Sequence, residues 1–129
     1  MPERASYSYA VLRVVPRVER EEFVNAGVVL HCPARRFLAA SILLDRDRIR
    51  ALAPHADLTA IEAQLQLLQS LCAGEPGAGP LAHLPLSERF HWAVAPRNTI
   101  VQVSPVHGGL TEDPAATLVH LLDVLVRAG

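Results

Sequence analysis

The chain has 129 residues, half of them apolar and 19% charged, with a formal charge of −1. That is the composition of one ordinary globular domain spanning 1–129, able to bury a single core, and it excludes a disordered or low-complexity chain. All twelve basic residues are arginine and thirteen acids offset them, so no concentrated basic surface is expected for nucleic-acid phosphates.

The opening MPERASYSYAVLRVV has a charged start and an apolar run broken by Arg13 and Pro16, unlike a secretory leader, and no run reaches membrane-spanning length. Cys32 and Cys72 form neither a CxxC pair nor a disulfide framework. A reducing cytoplasm, in a bacterium, is the expected setting. Ser6 to Val15 reads as a first strand, rich in tyrosine and valine and stopped by Pro16. Both of its faces are largely apolar, which predicts a central position in a sheet. A guanidinium on such a strand, Arg13, must find a partner or reach an open cleft.

After the acidic run RVEREEF come two apolar segments, VVLHC and FLAASILL, joined at Pro33-Ala34-Arg35-Arg36, where a hairpin is the economical connection. Asn25 and Gly27, on entry to the first of them, suggest a bulge. Asp45 can cap a short helix ended by Pro54, and Asp57 a longer one closed at Gly74, with Ile61, Leu65, Leu68 and Cys72 on its inner stripe. Residues 74–80 form an exposed Gly/Pro loop. The segment 86–95 fits either a helix capped by Ser87 or a strand, and the helix is preferred. NTIVQV is a β-branched strand closed by Ser104-Pro105, while Ser104, His107 and Gly108-Gly109 either line a separate mouth or make the turn leading to the last helix. That helix is capped by Asp113, opens with Pro114, and presents Leu118, Leu121, Leu122 and Leu125. The expected class is α+β, a mostly antiparallel sheet of about four to five strands with helices packed on one face.

No complete catalytic or cofactor motif occurs. The six histidines show no HxxxH spacing with one another, so no metal centre and no cofactor is expected. Polar residues that could touch a ligand or partner are Arg13, Glu22, Asn25, Arg97, Asn98 and Thr99. If the chain is an enzyme or ligand-binding domain for a phosphorylated or carboxylated small molecule, Arg13 and Arg97 would clamp the anion. His107 would then be the candidate acid or base, and Glu22 with Asn25 would orient the site.

The segments YSYAVLRVVPRVEREEFVNAGVVLHCP and RFHWAVAPRNTIVQVSPVHGGLTEDP resemble the bacterial domain of unknown function 3037 family, from Tyr7 to about Leu125. The most recognisable pieces are Arg13, Glu22-Phe23-Val24-Asn25 with Gly27-Val28, Pro96-Arg97 with Thr99, and Ser104-Pro105. The resemblance implies no established activity. It does imply a setting, because such proteins are often encoded beside HipA-like kinases, and the leading expectation is a non-enzymatic accessory domain that binds a protein partner such as that kinase. A homodimer is the default for a small domain with this much apolar surface.

Overall fold

A computed structural model describes residues 3–97 and 99–127. Five strands form one antiparallel sheet: β1 (Ala5–Val14), β2 (Val24–Cys32), β3 (Phe37–Ile42), β4 (Val101–Val103) and β5 (His107–Thr111). Four helices accompany them: α1 (Arg46–Leu52), α2 (Leu58–Ala73), α3 (Leu86–Ala93) and α4 (Pro114–Leu125). The order runs β3-β2-β1, and the far edge of β1 is shared by β4, opposite Leu12 to Val14, and β5, opposite Ala5 to Tyr9. β1 is therefore central, as its two apolar faces require. The antiparallel α+β class agrees with the sequence reading.

Strand alternation divides the core in two. Leu12, Val14, Val29, Leu38 and Ala40 meet Ile49, Ile61 and Leu65 on one face, where α1, α2 and α3 lie. Val28, Leu30 and Cys32 project the other way and meet Leu118, Leu121 and Val126. The expectation that the helices share one face thus holds for α1 to α3 and is corrected for α4, which covers the opposite side of β2 and β3. The reason is visible in β2: from Val28 to Cys32 every residue is buried, so neither face can be left to water.

The helix caps follow the sequence. Asp45, Asp57 and Asp113 each accept a backbone N–H of their helix's first turn, and Gly74 closes α2 in the left-handed region with φ 72°. The segment 86–95 is helical from Leu86 to Ala93, though its cap position is Pro85 rather than Ser87. The stretch Ser104 to Gly109 differs from expectation, because His107 to Gly109 belong to β5. Ser104 joins the two short strands: its N–H donates to the Val11 carbonyl (2.9 Å) and its Oγ accepts from the Val11 N–H (2.8 Å). Gly109 lies directly opposite Tyr7, and a Cβ there would come within 2.6 Å of the tyrosine ring. The glycine seats an aromatic ring rather than loosening a loop.

His31 is buried on the face of α1 to α3, its ring 5.0 Å from that of Phe90. Burial penalises the imidazolium and holds its pKa below the ordinary 6.5. The folded chain then binds fewer protons than the unfolded one, so this contribution to stability is complete above pH 6.5 and declines as the pH falls toward the lowered value. A urea midpoint at pH 5.5 is expected below that at pH 7.5, and His31→Phe should narrow the difference. An unchanged difference would assign the pH dependence to other groups.

Candidate functional site

Arg13 lies on β1, opposite Asn25 of β2 and Gln102 of β4. A register shift in β2 between these pairs places Ala26 as an extra residue, which turns Asn25 onto the same face as Arg13. That face is the one that α4 partly covers. Asn25 Nδ2 donates to the Leu125 carbonyl (3.0 Å) and ties the end of α4 to β2. Phe23, 45% exposed, places its ring 4.2 Å from the guanidinium carbon of Arg13.

Arg13, Val15, Val18, Glu21, Phe23 and Gln102 line a cavity of about 260 Å³. Glu21 has a left-handed backbone conformation (φ 59°) that closes the short 3₁₀ turn Val18–Arg20. Arg13 is half-buried and its side chain forms no hydrogen bond or ion pair among the described residues; its Nε is buried without a partner, as is Asn25 Oδ1. A partly buried cation without an ion-pair partner is unfavourable, and the π-face of Phe23 attracts the charge without accepting in-plane N–H bonds. Further along the same face Tyr7, Tyr9 and His107 form a ladder, with ring centroids 6.1 and 5.4 Å apart.

The remaining candidates from the sequence are engaged elsewhere. Arg97 donates from its two terminal amino groups to the carbonyls of Ala93 (2.9 Å) and Trp92 (2.8 Å), capping the end of α3, and burial lowers its pKa. It does not line the Arg13 cavity. Glu22 pairs with Arg20 at the surface and leaves Arg13 unmatched. Thr99 donates from Oγ1 to the Val101 carbonyl (2.8 Å), a local turn contact. His107 is exposed on β5, where its imidazole lies against the Tyr9 ring. Asn98 lies outside the described residues.

Among the described residues no three His, Cys, Asp or Glu side chains are grouped to hold a metal ion, and no helix is long and apolar enough to cross a membrane. Cys32 and Cys72 are buried, and burial pushes the Cys72 thiol up to about 12, far from a reactive thiolate. Sequence reasoning missed Phe23, Glu21 and Gln102. Phe23 did carry signals, as a large apolar side chain inside an acidic run and as part of the family piece Glu22-Phe23-Val24-Asn25.

No curated protein and no solved structure matches the chain. The chain belongs to the family described as protein of unknown function (DUF3037), whose model matches residues 9–126.

Proposed function

We propose that the protein is a cytoplasmic accessory domain that docks a protein partner at the corner formed by Arg13, Phe23 and Gln102. The observation that carries this reading is the half-buried Arg13 guanidinium, unpaired among the described residues, beneath an exposed phenylalanine ring. Arginine and aromatic side chains in desolvated pockets are the residues that most often dominate protein interfaces. The partner brought forward by the family resemblance is a HipA-like kinase. Coexpression of the chain with such a kinase from the same genome is expected to yield one co-eluting complex, weakened by Phe23→Ala. Two separate peaks at micromolar concentrations would overturn the reading.

The alternative, a small phosphorylated or carboxylated molecule clamped by Arg13 and Arg97, requires Arg97 to abandon the two carbonyls that it caps. Self-association has its best-placed surface at the open edge of β5, where Leu110 is 62% exposed. The same elution profile would report it.

A further inference from the structure

We infer that the Arg13 cavity is a receptor for a single carboxylate, delivered by an acidic side chain of the protein partner. This rests on the partner-binding reading above and names its chemistry. A guanidinium presents five N–H donors in one plane, and a carboxylate can take two of them in parallel. Here Phe23 covers one face of the guanidinium and leaves that plane to be filled. The support beneath is rigid: Arg13 stands on the central strand between β2 and β4, and Asn25 beside it is fastened to α4.

The lining selects a monoanion. Among the described residues, Arg13 is the only cation lining the cavity and Glu21 its only anion, so these side chains carry no net formal charge. A carboxylate brings one negative charge to this lining, whereas a phosphate monoester brings nearly two and would be repelled more strongly by Glu21 without a second cation to hold it. Size selects a side chain. A volume of about 260 Å³ falls below the roughly 300–1,000 Å³ usual for pockets that enclose a free small molecule. It suits one Asp or Glu side chain whose main chain stays outside, against the exposed Phe23.

The test uses the isolated chain with labelled arginine, following the Arg13 Nε–H signal by NMR during titration with N-acetylglutamate N-methylamide. Its neutral glutamine counterpart and inorganic phosphate are titrated at the same ionic strength. The glutamate compound is expected to shift the signal saturably in the millimolar range. The other two probes should not. Arg13→Lys, which keeps the charge and loses the fork, should weaken the interaction severalfold. Glu21→Gln, which removes the repelling charge, should tighten it about threefold. Absence of a saturable shift, an equal response to the glutamine compound, or tighter binding of phosphate would overturn the inference. So would loosening by Glu21→Gln. If a kinase co-purifies equally well with the folded Arg13→Lys and Arg13→Met variants, the carboxylate inference fails and the docking proposal stands. If the glutamate compound binds at Arg13 but no kinase co-purifies, the kinase assignment fails and the carboxylate site stands.

Discussion

Gly27→Ala is expected to destabilise the domain by about 2–3 kcal/mol, a large loss for one methyl group. A Cβ at this position would lie 2.6 Å from the Ser41 carbonyl oxygen, 2.9 Å from Ile42 Cδ1 and 3.3 Å from Leu12 Cδ1. The first of these contacts is with backbone, and it belongs to β3, which pairs with β2 at this point. Relief therefore requires the two strands to separate or the bulge beside Gly27 to move. Moving the bulge would turn Asn25 away from Leu125 and loosen α4. Urea denaturation of Gly27→Ala against Gly77→Ala is the informative comparison, because a Cβ at Gly77 would meet nothing within 4 Å. Gly77→Ala should change stability by no more than about 0.5 kcal/mol. Equal midpoints for the two variants would show that the hairpin widens freely and that Gly27 is not a packing requirement.

Arg89→Met is expected to cost about 3 kcal/mol. The Arg89 guanidinium donates from Nε to the Leu84 carbonyl (3.0 Å) and from Nη1 to those of Cys72 (2.9 Å) and Leu71 (3.3 Å). Two of these are carbonyls at the C-terminal end of α2, where a cation is favoured by the helix dipole and the last carbonyls lack helical partners. The third belongs to the loop that leads into α3. One side chain thus fastens α2, that loop and α3 together. Methionine retains most of the volume and removes every donor, which separates the hydrogen bonds from the packing. Faster amide exchange at the end of α2 should accompany the lower midpoint. Arg89→Lys should restore less than half of the loss, since one ammonium cannot reproduce the planar fork. A loss below about 1 kcal/mol would mean that water satisfies these carbonyls as well as arginine does.

The all-arginine composition acquires a structural meaning from these contacts. Arg35, Arg89 and Arg97 each reach two or three backbone carbonyls, Arg35 joining Glu3 to Glu112 across the edge of the fold. Carbonyls at helix ends and loops have no residue type of their own. A sequence can therefore show that arginines are plentiful without showing which of them act as internal fasteners. For this reason Arg97 looked like a partner for Arg13 and proved to be a cap for α3.

Elements whose formation depends on near neighbours were legible from the residues alone. The Asp45, Asp57 and Asp113 caps, the stripe of Ile61, Leu65, Leu68 and Cys72, the central β1 and the β2–β3 hairpin all rest on local dihedral preference or on periodicity. So did Arg13, because a charge on a central strand is anomalous wherever the strand ends up. The tertiary structure alone decided the rest. It sent α4 to the face opposite α1, α2 and α3, because β2 is buried on both sides and nothing local in the chain assigns a helix to each side. It made His107 and Gly109 part of a strand, because Tyr7, a hundred residues earlier, needs the space that glycine leaves. It also set Phe23 over Arg13 and kept Arg97 away from it. These outcomes depend on contacts between residues remote in the chain, where no local preference chooses the partner.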